Sequence, residues 1–490
     1  MTTQSETVGS TALEAATLGV APSITNDRRK RIQQKLAASD QAHLLSFIDE
    51  VEDSRRETFL SELEELDFEL LQELSETFRQ RSDDSFTAEQ FAEPLGFVLD
   101  DEKNRFSRES ARIVGEAILR AGTVGVVIVA GGQGTRLGFA HPKGMFPISP
   151  VGNATLFEIL FQKIRAVETI YETTIPIYLM TSPATHEETI AFLESNHHFG
   201  INARNVSVFC QGTMPAVDMA SGKILLSEKA ALFRSPDGHG GMLDALRKNQ
   251  CLDDMRIRGI EQLFYMQIDN ALVDVASPEA LGFHTLANSD ATTMVIRKSD
   301  PMEKVGNVAM IDGKTQIVEY SDLPEAVARQ TSEQGGLQIW AGNVAVHVWN
   351  VGFLREQASS RQGLPFHFAK KKVPFVNDKG ELIEPNEPNG VKFERFVFDL
   401  LPAARNSIVV EVDRESFFAP LKNPAGTPTD SPEYVQAAMR RLHHGWLESA
   451  GAEIAEGVTI EISPSFAIRK EQVAGKVEPG TKFTISQVLT

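Results

Sequence analysis

The stretch 127-VIVAGGQGTRLGFAHPKGMFPI-148 joins an apolar, β-branched run to a loop rich in glycine, and then to an arginine and a lysine. Such a run is typical of a buried strand, and the glycines behind it predict a tight turn at its carboxyl end. In an open parallel sheet this edge binds ligands, because loop and helix N–H groups can approach a phosphate there. A glycine turn alone can also bind nothing, so the neighbouring residues decide its function.

The spacing of this loop differs from two common nucleotide motifs. A Walker loop needs a Gly-Lys-Ser/Thr sequence after four intervening residues, which is not found here. A dinucleotide fingerprint needs a third glycine where Leu137 stands. What remains is a glycine-rich turn followed by Arg136 and Lys143, a bidentate donor and a mobile point charge suited to a triphosphate.

Length and composition describe a globular protein with an acidic surface. The 490 residues predict two or three domains, and 42% of them are hydrophobic. A formal net charge of −19 argues against nucleic acid or an anionic membrane as a general partner, so a phosphate site must be a local basic pocket. No signal-peptide pattern or membrane-length apolar run is found, and the two cysteines, Cys210 and Cys251, form no disulfide framework. We expect a cytoplasmic protein.

The texture of the chain changes several times along its length. The Ser-, Thr- and Ala-rich start predicts a disordered tail. A helical region follows, in which apolar residues recur every three or four positions and predict one apolar stripe: Phe59, Leu63, Leu66, Leu70, Leu74 and Phe78. We expect four parts: a tail at 1–28, a helical N-terminal region at 29–104, a catalytic domain at 105–404 and a small C-terminal β-containing domain at 405–490.

Short, continuous apolar runs alternate with helical stretches in the third part. Runs of this kind are typical of strands whose two faces are both covered by helices. The alternation predicts an α/β fold with a doubly wound mixed sheet. The predicted strands include VGVVIVA, IPIYLMT, VSVFC, LFYMQID and TTMVIR.

The combination Gly-x-Gly-Thr-Arg-x-Gly followed by Pro-Lys-Gly resembles the signature of sugar nucleotidyltransferases. Over roughly residues 40–430 the chain resembles the eukaryotic-type UDP-N-acetylglucosamine pyrophosphorylase family, a group of uridylyltransferases. The resemblance implies a Rossmann-like, GT-A-like catalytic core that joins UTP to a sugar 1-phosphate with Mg²⁺. The segments that carry it, in family order, are 209-FCQGTMPAVD-218, 235-SPDGHGGMLDAL-246, 265-YMQIDNALV-273, 305-VGNVAMIDGKTQIVEYSDL-323, 340-WAGNVAVHVW-349, 387-EPNGVKFERFVFDLL-401 and 417-FFAPLKN-423.

Uridylyl transfer needs positioning and charge neutralisation more than a general base, because the attacking phosphate oxygen is already anionic. Asp269 ends an apolar strand and matches the family's magnesium-binding aspartate, although a strand-terminal Asp can also be a cap. Asn270 is only an adjacent candidate. The family match places the phosphates near Arg136 and Lys143, and the nucleotide near Gly131, Gly132, Gly134, Gln211 and Gly238.

The sugar side is implied by the same resemblance. Glu319 can accept hydrogen bonds from sugar hydroxyls, and Asn343 can donate and accept, with Gly306 beside them. Lys422 would bring an ammonium from far along the chain to the phosphates, and Lys392 is a weaker second cation. The sequence departs from the family pattern at Thr213 and Met214 and at His239, where relatives often carry asparagine.

Other functions were weighed against this one. A hydrolase triad around Ser149 and His141 lacks a nucleophile elbow, so we discount it. Among uridylyltransferases, glucose 1-phosphate or a broader set of sugars could be the acceptor, because the sequence does not give the shape of the sugar pocket. A non-catalytic sugar nucleotide sensor on the same fold is a third reading. The four charged residues expected for catalysis, Arg136, Lys143, Asp269 and Lys422, are all present and argue against it.

Overall fold

The computed structural model describes residues 22–80, 90–99, 101–332, 335–360 and 363–490. The helices are α1 (Pro22–Ala38), α2 (Asp53–Glu65), α3 (Phe68–Gln80), α4 (Arg108–Arg120), α5 (Leu156–Tyr171), α6 (His186–Ser195), α7 (Met242–Lys248), α8 (Cys251–Ile257), α9 (Pro278–Leu286), α10 (Glu325–Ala328), α11 (Val351–Ala358), α12 (Arg414–Phe417), α13 (Pro432–Ser449) and α14 (Lys470–Ala474). None of the helices in these ranges is both long enough and apolar enough to cross a bilayer.

The strands, many of them short, are β1 (Phe91–Ala92), β2 (Gly96–Phe97), β3 (Val124–Val129), β4 (Ile177–Thr181), β5 (Val206–Cys210), β6 (Thr213–Pro215), β7 (Val217–Asp218), β8 (Leu226–Glu228), β9 (Ala231–Leu232), β10 (Arg234–Pro236), β11 (Gln262–Gln267), β12 (Ala291–Arg297), β13 (Gly306–Ile311), β14 (Lys314–Val318), β15 (Ala341–Asn350), β16 (His367–Lys371), β17 (Phe375–Val376), β18 (Leu382–Ile383), β19 (Gly390–Glu394), β20 (Ser407–Glu411), β21 (Glu453–Ile454), β22 (Ile460–Ile462), β23 (Lys482–Phe483) and β24 (Gln487–Leu489).

The chain forms two compact units. The helical unit comprises the described residues up to Gln80 together with Pro215–Arg234 and Lys370–Lys392. The sheet unit comprises the other described residues, and it contains the glycine loop. The four-part division expected from the sequence therefore stays a prediction, because these units combine segments that are distant in the chain.

The helical unit differs from the expected pattern in two places. The apolar stripe is divided between α2 and α3, and the Asp67 carboxylate caps α3 by accepting a hydrogen bond from the Leu70 amide at 3.0 Å. This break between the two helices changes which residues face the core, so that Leu71 is buried and Leu70 only half-buried. Helix α1 already begins at Pro22, so residues 22–28 of the expected tail are helical, whereas residues 1–21 lie outside the described residues.

The sheet unit is built on a mixed sheet of the expected doubly wound type. Its central strands follow the order β2-β20-β12-β15-β11-β3-β4-β5. Strand β3 runs parallel to β4 and β11, and β5 runs parallel to β4. Strand β15 is antiparallel to β11 and β12. The carboxyl ends of β3, β4, β5 and β11 consequently share one edge, and the segments that follow them carry Gly131, Gln211 and Asp269.

Both faces of this sheet are buried, which explains the continuous apolar runs. On β3, Val126 and Ile128 pack in the cluster that contains Phe157 of α5. Val127 points to the opposite face, in the cluster that contains Met242 of α7. Each such side chain contributes roughly 1.5–3 kcal/mol by leaving water. The core therefore fixes β3 rigidly behind the glycine loop.

One strand of the central sheet lies beyond residue 405, where the sequence predicts the C-terminal domain to begin. Strand β20, expected in the C-terminal domain, pairs with β12 and β2 in the central sheet. Its sequence SIVVE is as apolar as the other central strands, so it is buried there rather than in a separate fold. The later strands do form a small β-containing region, with β21 parallel to β23 and β22 parallel to β24.

Candidate active site

The glycine loop leaves β3 at Val129 and is closed by its own backbone. The Gly134 amide donates to the His141 carbonyl at 2.9 Å, and the Lys143 amide donates to the Gly132 carbonyl at 3.0 Å. Within the described residues, no hydrogen bond uses the amides of Gly131, Gly132 or Gln133 as donors. A Cβ added to Gly132 would meet no heavy atom within 4 Å. The loop thus presents three consecutive N–H groups and an open approach to them.

Two other glycines of the loop are required by its folding. A Cβ on Gly134 would lie 2.7 Å from the Phe139 side chain and 2.9 Å from the His141 carbonyl oxygen. Gly138 has a φ of 71°, a left-handed conformation that favours glycine. These glycines shape the turn, whereas the position of a Gly132 Cβ is open space.

The Gln211 side chain lies beside the loop, and the backbone links the next residue to the segment that carries Gly238. Gln211 follows β5, and a Cβ on Gly131 would lie 3.2 Å from its side-chain Oε1. The adjacent Gly212 carbonyl accepts a hydrogen bond from the Asp237 amide at 3.1 Å. Gly238, at φ 82°, packs so closely on Arg395 that a Cβ would lie 2.4 Å from the Arg395 carbonyl oxygen. The structure therefore brings together the residues expected around the base.

Asp269 lies at the same sheet edge, just beyond β11. Its carboxylate is buried, and its Oδ2 lies 3.8 Å from Lys143 Nζ. Lys143 Nζ also donates to the Leu421 carbonyl at 3.3 Å, while the Leu421 amide donates to the Asp269 carbonyl at 2.8 Å. These contacts hold Leu421 against Asp269. Lys422 is the next residue, so main-chain contacts place it near Asp269.

A second carboxylate, Asp430, completes this corner. The Lys422 amide donates to the Asp430 carbonyl at 2.8 Å. Burial raises the pKa of the Asp430 carboxyl, attraction to Lys422 opposes the rise, and repulsion from Asp269 adds to it. Among the described residues its carboxylate has no hydrogen-bond or ion-pair partner. Asp430 also has a φ of 57°, an uncommon value for a residue other than glycine, of the kind often found at functional sites.

Gly306 and Asn343 pair directly across β13 and β15. The Asn343 Oδ1 accepts a hydrogen bond from the Ala345 amide at 2.9 Å, which leaves its Nδ2 as the free donor. Ala345 has a φ of 57°, and the pairing of β12 with β15 shifts register at this point. The irregularity works like a β-bulge, because it re-aims the Asn343 side chain toward Gly306.

Glu319 follows β14 and is largely buried. Its carboxylate has no hydrogen-bond or ion-pair partner among the described residues. Burial raises its pKa, repulsion from Asp322 adds to the rise, and attraction to His367 and Lys422 opposes it. Glu319 is therefore electrostatically coupled both to the expected phosphate lysine and to a histidine that the sequence did not single out.

That histidine belongs to a cluster missed by sequence reasoning. His367 Nε2 donates to Asp399 Oδ2 at 2.8 Å, and its ring stacks on Phe396 at 4.3 Å between centroids. His239 stacks on Phe396 as well, at 5.2 Å. The only sequence signal was the aromatic spacing in ERFVFD, which by itself is typical of an ordinary core strand.

His239 is held in one tautomer. Its Nδ1 accepts a hydrogen bond from the Val397 amide at 3.1 Å, so the ring proton sits on Nε2. Burial lowers its pKa to about 4, and the ring is therefore neutral at pH 7. An asparagine carbonyl could accept the same amide, and this explains how His239 can stand where relatives often carry asparagine.

Two series of contacts border the loop within the sheet unit. One runs from Gly131 past Gln211 and Asp237 to the Arg395–Val397 backbone, His239, Phe396 and His367. The other runs from the Gly132 carbonyl through Lys143 and Asp269 to the Leu421 backbone, beside Lys422. Glu319 is related to both series by charge, through its attraction to His367 and Lys422. Backbone amides, two lysines with two carboxylates, and the Glu319 carboxylate with the Asn343 amide are thus the polar groups that these segments present.

Comparison with known proteins identifies the family of the chain. The profile of the UTP–glucose-1-phosphate uridylyltransferase family matches residues 102–441. The chain belongs to this family. A UDP-N-acetylhexosamine pyrophosphorylase-like protein 1 of Xenopus tropicalis is 35% identical over 91% of this chain and 89% of its own length. A UDP-N-acetylglucosamine pyrophosphorylase of Saccharomyces cerevisiae is 35% identical over 73% and 77%.

A solved structure extends the likeness to the fold. The uridine diphosphate N-acetylglucosamine pyrophosphorylase of Trypanosoma brucei superposes with a TM-score of 0.76 and 25% identity, covering 92% of this chain and 94% of that one. The uridylyltransferase described here thus has the nucleotidyltransferase core expected from its sequence.

Three other residues were candidates in the sequence: two lie in the sheet unit and one in the helical unit. Arg136 is exposed and has no ion-pair partner among the described residues. Lys392 belongs to the helical unit, where its Nζ lies 5.0 Å from the Phe233 ring centroid. Asn270 is structural, because its Oδ1 accepts the Leu272 and Ala419 amides and its Nδ2 donates to Phe417. We therefore do not retain Asn270 as a metal-ligand candidate.

Proposed function

We propose that the protein converts UTP and N-acetylglucosamine 1-phosphate to UDP-N-acetylglucosamine and pyrophosphate. A phosphate oxygen of the sugar 1-phosphate attacks the α-phosphorus of UTP in line, and the bond to the departing pyrophosphate breaks. The attacking oxygen carries its own negative charge, so no proton needs to be removed. The observation that carries this proposal is that Lys143 joins the glycine loop to Asp269 and to the Leu421 backbone, beside Lys422.

The residues proposed to bind the nucleotide are mainly hydrogen-bond donors rather than charged groups. The amides of Gly131, Gly132 and Gln133 suit phosphate oxygens, in the manner of other glycine-rich loops. Gln211 and Gly238 would hold the uracil through amide and backbone groups, and Gly134 maintains the turn. Arg136 has no protein partner among the described residues, and it would contact the outer phosphates of UTP.

The donor set beside Lys143 suits Mg²⁺. Asp269 supplies a buried carboxylate, and Asp430 supplies a second one that has no protein partner among the described residues. Magnesium is usually bound by one or two carboxylates together with substrate phosphates. When bound, the ion would withdraw charge from the α-phosphate and the leaving pyrophosphate. Lys143 and Lys422 would neutralise the remaining negative charge and hold both substrates in line.

On the sugar side, Glu319 would accept hydrogen bonds from ring hydroxyls and Asn343 Nδ2 would donate one, with Gly306 leaving room for the ring. His239, held as an Nε2–H donor, and the Phe396 ring would form the opposite wall. The N-acetylated sugar is favoured because relatives named for UDP-N-acetylhexosamine and UDP-N-acetylglucosamine match this chain over most of its length. Glucose 1-phosphate, or a broader set of sugars, is the alternative acceptor.

The deciding experiment is pyrophosphate release from UTP and Mg²⁺ by the purified protein. N-acetylglucosamine, N-acetylgalactosamine and glucose 1-phosphates are compared at equal concentration. A preference for the N-acetylated sugars supports the proposal, and a preference for glucose moves the protein to UDP-glucose synthesis. If no sugar gives pyrophosphate, yet UDP-sugar binds in calorimetry, the protein is a sensor.

Two further proposals concern the cellular location of the protein and its partners. We propose a cytoplasmic location, with which the two free cysteines, Cys210 and Cys251, are compatible. The partners are the two substrates and their products, without nucleic acid or membrane.

A further inference from the structure

Lys298 is a buried cation to which the proposed reaction gives no role. It directly follows β12 and is only 6% exposed. Its Nζ donates to Asn307 Oδ1 at 2.6 Å, and across the described residues this is its one hydrogen-bond or ion-pair partner. Burial lowers its pKa, with longer-range attraction to Glu303 and Asp300 opposing the shift. A buried ammonium on one neutral acceptor is costly, so the contact needs a reason.

Gly342 allows this contact to form. Within β15, Gly342 pairs with Ile296 of β12 on one side and with Asn307 of β13 on the other. A Cβ on Gly342 would lie 3.4 Å from Lys298 Cγ and 2.9 Å from Val305 Cγ2. The missing side chain therefore leaves the space through which Lys298 crosses β15 and reaches Asn307.

The lysine also fixes the orientation of the Asn307 amide. Because Oδ1 accepts from an ammonium, Nδ2 must be the donor on the other side, and it donates to the Val318 carbonyl at 3.2 Å. Asn307 pairs with Val318 across β13 and β14 as well. The contact is thus continuous from β12 over β15 and β13 to β14.

Each strand held in this way carries one expected sugar contact immediately beside the held residue. In β13, Gly306 precedes Asn307; in β15, Asn343 follows Gly342; after β14, Glu319 follows Val318. Asn307 is 1% exposed, so it reaches no substrate itself. A shift of any of the three strands would displace the group beside it.

We propose that Lys298, Gly342 and Asn307 form a clasp that positions the sugar-binding residues and thereby sets the affinity for the sugar 1-phosphate, not for UTP. The inference rests on the proposed function. Lys298 and Asn307 are positioning residues, acting through Gly306, Glu319 and Asn343. The glycine loop and Gln211 follow other strands, β3 and β5, so nucleotide binding does not depend on the clasp.

The test measures KM for each substrate separately in Lys298→Met, Asn307→Leu and the double variant. Both single variants raise the KM for the sugar 1-phosphate by about tenfold or more and change the KM for UTP by less than about twofold. The double variant is no worse than Asn307→Leu, because the two residues act as one unit. Ile311→Val is the matched control: Ile311 is buried at the end of β13 farthest from Gly306, and its truncation leaves the ratio of the two KM values unchanged.

Equal rises in both KM values, an unchanged sugar KM, or additive effects in the double variant would overturn the clasp. Should Asn307→Leu not fold, Asn307→Asp replaces it: this near-isosteric change keeps an oxygen for Lys298 but sets a carboxylate oxygen against the Val318 carbonyl. It must raise the sugar KM for the proposal to stand. A wild-type protein that releases no pyrophosphate with any sugar phosphate would instead count against the proposed function.

Discussion

The backbone amide of Leu421 donates a hydrogen bond to the carbonyl oxygen of Asp269 at 2.8 Å. The bond joins the end of β11 to a segment far along the chain, and the bridge between Asn270 and Pro420 reinforces it. The position of Lys422 relative to Asp269 is therefore set by main-chain contacts. Side-chain substitutions at these two residues can test the chemistry without moving the segment that carries them.

We expect Asp269→Asn to lower pyrophosphate release by about 100-fold or more, because it removes a carboxylate of the proposed Mg²⁺ site, and the ion would stabilise the charge on the reacting phosphates. The amide is isosteric, and the main-chain bond to Leu421 remains. Mn²⁺ binding in the presence of UTP, followed by electron paramagnetic resonance, should weaken in parallel. Asp312→Asn, in the exposed turn between β13 and β14, is the control. An Asp269→Asn variant that binds Mn²⁺ like the wild type would remove Asp269 from the metal site.

Lys422→Met should reduce kcat by about 100-fold or more while leaving the thermal midpoint unchanged. The Lys422 side chain is exposed, and its amide bond to Asp430 does not depend on the ammonium. Lys482→Met is the matched control, since Lys482 is an exposed lysine that pairs with Glu453 in the C-terminal region. A kcat within about twofold of the wild type would show that Lys422 does not act on the phosphates.

Gly132→Ala and Gly134→Ala should separate ligand approach from folding. The Gly132 substitution meets no protein atom, so the thermal midpoint should hold while the KM for UTP rises by about tenfold. The Gly134 substitution collides with Phe139 and the His141 carbonyl, so the thermal midpoint should fall by several degrees. Differential scanning fluorimetry with steady-state kinetics distinguishes the two. An unchanged KM for UTP in Gly132→Ala would mean that the nucleotide does not approach this residue.

Asn343→Ala should weaken sugar 1-phosphate use much more than UTP binding. The change removes the Nδ2 donor and also the acceptor of the Ala345 amide, which can turn to water because the position is only half-buried. Titration calorimetry with UTP and kinetics with the sugar phosphate measure the two effects. Equal losses for both substrates would contradict the assigned role of Asn343.

The parts of the fold that depend on local pattern could be predicted from the sequence. The central strands β3, β4, β5, β11 and β12 match the predicted apolar runs, with β11 and β12 each beginning one residue earlier, because burial on both faces requires such runs. The glycine loop was also predicted, because a tight turn needs residues without side chains. The expected residues of the sheet-edge site, from Gln211 to Lys422, follow from the family resemblance.

Features that depend on tertiary contacts were not predictable. The bulge at Ala345 re-aims Asn343, but alanine has no signature for a positive φ. His367 and Asp399 meet only through the fold, and Asp430 reaches its place through the main chain of Lys422. Strand β20 belongs to the central sheet because it pairs with β12 and β2, and a short apolar run does not specify its pairing partners.

His239→Asn should make the free energy of unfolding less sensitive to acid. In the fold the pKa of His239 is lowered to about 4, whereas in the unfolded chain it is about 6.5. Between these values the unfolded chain binds a proton that the folded chain does not, so stability that is fully present above pH 6.5 is lost as the pH falls toward 4. Asparagine keeps an acceptor for the Val397 amide but does not titrate. Urea unfolding at pH 7.5 and pH 5.0 should therefore show a loss that is smaller in the variant by about 2 kcal/mol. The exposed His197→Asn is the control, and an equal loss in wild type and His239→Asn would show that His239 is not held neutral.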